Sequence, residues 1–171
     1  MNIYLIGFMG SGKSYAGKRI ANLLHWKFID TDRLIEKKKG MTVTEIFAAR
    51  GEEYFRRVEA AILREVVKRH RMVVACGGGM PCYGENLALM KSAGVTVWLK
   101  LSPETLVSRL MHSKADRPLL HGAGPAELRS LIVQMLDTRN HWYEQADLII
   151  DAEAVGEEEM AALITETIRT G

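Results

Sequence analysis

Cysteine is scarce in this sequence: two residues in 171, Cys76 and Cys82. Their spacing suits neither a C-x-x-C redox pair nor a zinc site, so two free thiols are expected. No apolar run reaches the roughly 18 residues of a membrane span. No cleavable signal precedes the first apolar stretch, which begins almost at Met1, so a cytoplasmic protein with no membrane partner is expected. Neither sign of charge dominates, with 23 Lys and Arg against 21 Asp and Glu. A chain so balanced has no large field to attract nucleic acid, and none is expected as a partner. The histidines, at 25, 70, 112, 121 and 141, show no metal-ligand spacing. No Ser-His-Asp or Cys-His arrangement can be argued, and no repeat or linker divides the chain. The length fits one domain with a substantial core, expected to be monomeric.

What is present is alternation. Strand-like runs "NIYLIG", "KFID", "MVVAC", "VTVWLK" and "DLIID" are mostly continuous apolar stretches, as parallel strands covered on both faces should be. Helical patterns lie between them, at roughly 14–24, 31–38, 42–50, 52–70, 84–92, 103–111, 125–145 and 156–169. Strand-helix-strand repetition predicts right-handed crossovers and a three-layer α/β sandwich. The least regular stretch, "HSKADRPLLHGAG" at 112–124, is expected to be a long mobile loop.

The first strand runs straight into "GFMGSGKS", Gly7 to Ser14, the G-x-x-x-x-G-K-[ST] loop that wraps polyphosphates. Gly7, Gly10 and Gly12 let the backbone curl so that its N–H groups point inward. The helix that begins near Lys13 adds its positive end. Lys13 is expected to reach the β- and γ-phosphates of a nucleotide, and the Ser14 hydroxyl to ligate Mg²⁺. The chain carries no guanine-reading N-K-x-D segment and is too short for a motor or helicase, which leaves a small-molecule kinase as the leading class.

Acceptor-site candidates gather at strand ends and on inward helix faces. "FIDTD" places Asp30 and Asp32 at the carboxyl end of the second strand, where ligands bind in open α/β sheets. One can steady a magnesium shell while the other meets a hydroxyl; equally, Asp30 or Thr31 can cap the helix that follows. In "EEYFRRVEAAILREVVKR", Glu59 falls inside an apolar stripe of Phe55, Val58, Ile62, Leu63 and Val66. Arg56 reaches it from three residues earlier, either as an ordinary helical ion pair or as an arginine fixed so that its free edge faces an anion. Glu53 pairs with Arg57 at i,i+4, a surface matter. The stripe Leu128, Leu131, Ile132, Met135, Leu136 predicts an apolar residue next and meets Arg139 instead, which either snorkels or binds an anion in a cleft. "CGGGM" offers bare backbone at Gly77 to Gly79. In the irregular stretch, Arg117 precedes Pro118 and is either a solvated loop charge or an arginine that can close over a γ-phosphate.

The segments "GFMGSGKS", "FIDTDRLIE", "GEEYFRRVE", "CGGGM", "RPLL" and the arginine of "DTRNHWYE" occur in the order and approximate spacing of the shikimate kinase family, which the whole chain resembles. The resemblance implies a P-loop fold like that of the nucleoside monophosphate kinases, with a five-stranded parallel sheet and a closing lid. It implies ATP and shikimate as substrates, Mg²⁺ as cofactor, and transfer to the shikimate 3-hydroxyl on the route to aromatic amino acids. By motif, Gly10, Ser11, Gly12, Lys13, Ser14 and Tyr15 resemble the ATP-binding run. Asp32 resembles the residue that orients the attacking hydroxyl. Arg56 and Arg139 resemble the carboxylate clamp, Glu59 the partner of Arg56, and Gly78 and Gly79 the backbone contacts to shikimate. Ser14 and Asp30, the latter through water, resemble the magnesium shell. Arg117 resembles the lid arginine, so Lys13, Asp32 and Arg117 are the expected catalytic set. One register departs: the family's adenine-stacking arginine would fall on Leu110, and a one-residue insertion brings Arg109 into its place. After the last strand, "DAEAVGEEE" lacks the family's basic residues, so adenine contacts there are expected to be mainly backbone.

Overall fold

A computed structural model of the chain describes residues 1–113, 118–120, 122 and 124–170. Five strands form one parallel sheet: β1 (Asn2–Ile6), β2 (Lys27–Asp30), β3 (Met72–Ala75), β4 (Gly94–Lys100) and β5 (Leu148–Asp151), in the spatial order β2-β3-β1-β4-β5. Every pairing is parallel, with Tyr4 opposite Val74 on one side and Thr96 on the other. The helices among the described residues are α1 (Lys13–Leu24), α2 (Thr31–Lys39), α3 (Val43–Val66), α4 (Asn86–Ala93), α5 (Pro103–Met111), α6 (Pro125–Tyr143) and α7 (Glu157–Thr170). Short 3₁₀ turns cover Met80–Cys82 and Pro118–Leu120.

The layering follows from period-two alternation in a strand walled on both faces. Ile3 and Leu5 of β1 pack with Ala16 and Ile20 of α1 and Met160 and Ile164 of α7. Tyr4 and Ile6 point the other way, into a larger core with Phe55, Val58 and Leu63 of α3, Met90 of α4, and Ile132 and Tyr143 of α6. The step from β1 to β2 runs one way along the sheet and the later steps run the other way. Right-handed crossovers therefore put α1 on one face and α3 to α6 opposite. The reversal beside β1 opens a crevice at the carboxyl ends of the strands.

The three-layer sandwich expected from the sequence is what forms, and the strand boundaries agree within a residue or so. The two helices expected at 42–50 and 52–70 are both present, and α3 is their run, broken at Gly51, whose φ of 79° and ψ of 171° are not helical. Its second half stops at Val66, four residues early, because the chain must turn back under the sheet: the Asn2 side chain donates to the Arg69 carbonyl and accepts from Met72 N–H, at 2.9 and 3.1 Å. Cys76 is buried and Cys82 half-buried, both as free thiols, as expected.

Gly94 opens β4 directly opposite Asn2. A Cβ there would overlap the Asn2 carbonyl and stand 2.7 Å from both its carbonyl carbon and its nitrogen. Backbone cannot move aside as a side-chain tip can. Gly94→Ala should lower unfolding free energy by about 1–3 kcal/mol, measured as a shifted urea midpoint; an unchanged midpoint would show that the β1–β4 edge accommodates a side chain.

Candidate active site

The carboxyl ends of β1, β2 and β3 surround a cavity of about 750 Å³, within the usual range for a small-molecule site. One end of it is the glycine loop. Gly10 and Gly12 hold φ of 81° and 90°, a conformation that costs other residues dearly, and Gly12 leaves the start of α1 without a side-chain cap. The helix end is thus open to an anion. Lys13 is buried and its ammonium is folded back onto the loop, donating to the carbonyls of Gly7 at 2.8 Å and Phe8 at 2.7 Å. Ser11 is also buried; its amide donates to Phe8 O at 3.2 Å, and it does not line the cavity, whereas Gly10, Gly12, Ser14 and the exposed Tyr15 do.

The two readings of Asp30 turn out to be compatible, because its oxygens divide the tasks. Oδ1 caps α2, accepting from the amides of Asp32 and Arg33 at 3.1 and 3.2 Å. Oδ2 accepts the Ser14 hydroxyl at 2.5 Å, tying the end of β2 to the phosphate loop. Thr31, buried and considered from sequence only as a cap, instead accepts the Gly77 amide at 2.9 Å. Asp32 lines the cavity beyond it.

Each of the three successive glycines makes room for a different charged group. A Cβ on Gly77 would lie 2.6 Å from Glu59 Oε1 and 2.8 Å from Asp32 Oδ1. One on Gly78 would meet Arg139 Nη1 at 3.2 Å and Met9 N at 3.3 Å. One on Gly79 would fall on the Arg56 guanidinium, 2.5 Å from both Cζ and Nη2. Near-equal distances to those atoms mean that the guanidinium lies face-on over the glycine.

Arg56 donates through Nη1 to Glu59 Oε2 at 2.6 Å, and its Nε and Nη2 both donate to Glu52 Oε1, at 3.3 and 2.9 Å. Glu59 is fully buried, and its Oε1 has no hydrogen-bond partner among the described residues. Burial pushes the Glu59 pKa up to about 7, Arg56 and Arg139 pull against that, and the nearby Asp32 carboxylate adds to it. Burial opposes the Arg56 charge, yet Glu59 and Glu52 together hold its pKa above the ordinary value. Arg139 is 8 % exposed, sits 5.4 Å from the centre of the Phe8 ring, and keeps a buried Nη1 with no hydrogen-bond partner among the described residues. One turn on, the Tyr143 hydroxyl donates to Gly78 O at 2.6 Å and holds the glycine run in place. Arg57, by contrast, pairs with Glu53 in solvent as expected.

Arg109 lines the cavity and its Nη1 donates to Gly10 O at 3.5 Å, while Leu110 packs on Gly10. Leu119 lines the cavity, and Leu120 is buried in the core shared with α3. Arg117, with much of the stretch expected to be a lid, lies outside the described residues. Sequence reasoning missed Glu52, Thr31 as a brace, Phe8 and Tyr143. Glu52 was within reach of the same i,i+4 rule that paired Glu53 with Arg57; the others needed the fold.

A polyphosphate cradle at one end of a cavity, with carboxylates, the buried Arg139 and the largely buried Arg56 at the other, defines a P-loop small-molecule kinase. The family model for shikimate kinase matches residues 9–169. A shikimate kinase from Parabacteroides distasonis is 42 % identical over 151 residues, covering 88 % of this chain and 87 % of that one. Among solved structures, shikimate kinase from Bacteroides thetaiotaomicron superposes with a TM-score of 0.93 at 37 % identity, over 99 % of this chain and 98 % of that one. Shikimate kinase from Acinetobacter baumannii in complex with shikimate gives 0.90 at 34 %, over 99 % and 93 %. The chain belongs to the shikimate kinase family.

The raised pKa of Glu59 has a consequence for stability. Its folded-state value, about 7, exceeds the ordinary 4.5, so between these pH values the folded protein binds more protons than the unfolded chain. Stability contributed by the protonated form is complete below about 4.5 and lost as pH rises through about 7. Urea midpoints at pH 5 and pH 8 should differ less in Glu59→Gln than in wild type; equal differences would place the titration elsewhere.

Proposed function

We propose that this chain transfers the γ-phosphoryl group of ATP to the 3-hydroxyl of shikimate, giving shikimate 3-phosphate and ADP for aromatic amino acid (chorismate) biosynthesis, as a cytoplasmic monomer. The observation that carries this reading is the placement of Arg56 and Arg139 over adjacent glycines, across the cavity from the phosphate loop. Shikimate has one carboxylate and three hydroxyls. Two arginines suit the first, since guanidinium forks match carboxylate geometry. Asp32 and the backbone of Gly78 and Gly79 suit the hydroxyl side.

The phosphates lie in the loop from Gly10 to Ser14, with Ser11 and Tyr15 completing the ATP-binding run. Lys13 exchanges the Gly7 and Phe8 carbonyls for β- and γ-phosphate oxygens. Arg109 lies beside the loop on the adenine side. The Ser14 hydroxyl and the Asp30 carboxylate, hard oxygen donors already 2.5 Å apart, fit Mg²⁺, with Asp30 acting through water. When bound there, the ion would supply charge neutralisation to the nucleotide phosphates. Asp32 accepts the hydrogen bond of the attacking hydroxyl and takes its proton late in transfer. The stretch at about 112–124 acts as a lid, with Arg117 on the transferring phosphate and Leu119 closing the cavity. Little covalent help is needed when alignment and charge stabilisation are provided.

Shikimate-dependent ADP release, absent with gluconate, tests the activity; release with gluconate and not shikimate would overturn it. Asp32→Asn should cut kcat by about 10²–10⁴-fold with nucleotide affinity little changed, checked by steady-state turnover and nucleotide titration. Arg139→Ala should raise the shikimate KM by tenfold or more, on the order of one charged hydrogen bond, and leave the ATP KM alone. An equal rise for ATP would remove Arg139 from the acceptor site.

A further inference from the structure

Arg56 has five N–H donors, and their allocation decides what the residue can offer. Glu52 takes the Nε–H and one hydrogen of Nη2, and Glu59 takes one hydrogen of Nη1. What remains is one hydrogen on each terminal nitrogen, and these two are what the guanidinium can offer to a substrate carboxylate. Glu59 alone does not produce this result. A guanidinium held by one bond can rotate about it, and its Nε–Nη2 edge would be as available as its end. The face is fixed by contact with Gly79, and the rotation within that face is fixed only when a second carboxylate holds the opposite edge.

We propose that Glu52 is a positioning residue for the acceptor site, setting the orientation in which Arg56 presents its two remaining N–H groups to the substrate carboxylate. This rests on the proposed shikimate-phosphorylating activity and extends it to a residue outside the cavity wall. Gly51 explains how Glu52 comes to be there. Its φ of 79° with no atom near a would-be Cβ means that the bend is demanded by backbone direction and not by crowding. The bend restarts the helix at Glu52, one turn before Arg56, on the same face. Glu52 is about half exposed while Glu59 is fully buried. The two carboxylates therefore differ in kind. Glu59 is built into the core and holds Arg56 from the buried side. Glu52 holds it from the solvent side, where its removal leaves no buried charge behind.

The opposing possibility is that Glu52 competes with the substrate, occupying an edge that shikimate must take. The two predict opposite signs. Glu52→Ala should raise the shikimate KM by about three- to tenfold, on the scale of a partly exposed charged pair. The ATP KM and kcat should stay within about twofold and the melting temperature should hold. Glu52→Gln, which keeps an acceptor oxygen at the same reach, should recover most of the loss. In an Arg56→Ala background, Glu52→Ala should have no further effect on the shikimate KM, since the residue acts only through Arg56. An unchanged or lowered shikimate KM, a parallel rise for ATP, or additive effects in the double variant would each overturn the proposal. Wild-type turnover with shikimate, measured in the same series, separates this outcome from failure of the activity itself.

Discussion

The ion pair between Arg56 and Glu59 is the contact on which the acceptor side of the cavity depends. Glu59 is fully buried and Arg56 nearly so, and their 2.6 Å bond lies at the sheet edge. Breaking such a pair by removing one partner typically costs about 3–5 kcal/mol, so neither residue is replaceable on stability grounds alone. The pair also needs space. Gly77 yields to Glu59 and Asp32, Gly79 to Arg56, and between them Gly78 yields to Arg139. Four charged groups from three helices thus share one stretch of bare backbone, and a side chain there would force at least one of them to shift.

A second set of bonds joins this edge to the phosphate loop. Asp30 uses one oxygen to cap α2 and the other to hold Ser14. Thr31 accepts the Gly77 amide, and Tyr143 donates to Gly78 O. The distance from the phosphate cradle to the glycine run is thereby set by short bonds between β2, β3, α1 and α6, with little freedom left to side chains. Positioning of that kind is the main resource of phosphoryl transfer, where the protein forms no covalent bond to the reacting group.

The sequence by itself determined the fold class, the strand boundaries and the phosphate loop. Each is encoded locally: buried parallel strands must be continuously apolar, and a loop that wraps phosphate must have glycine where φ is positive. It also marked Arg56, Glu59 and Arg139 as charges on apolar stripes, because burial of a charge breaks helical periodicity. Only the tertiary structure decided what those charges meet. Asp30 caps and also holds Ser14, Lys13 folds back onto its own loop, and Arg109 reaches that loop while Leu110 packs on Gly10. The three glycines, read as exposed backbone, are clearances for side chains from elsewhere in the chain. Such contacts join residues tens of positions apart, and their distances depend on how the helices pack on the sheet, which no local pattern records.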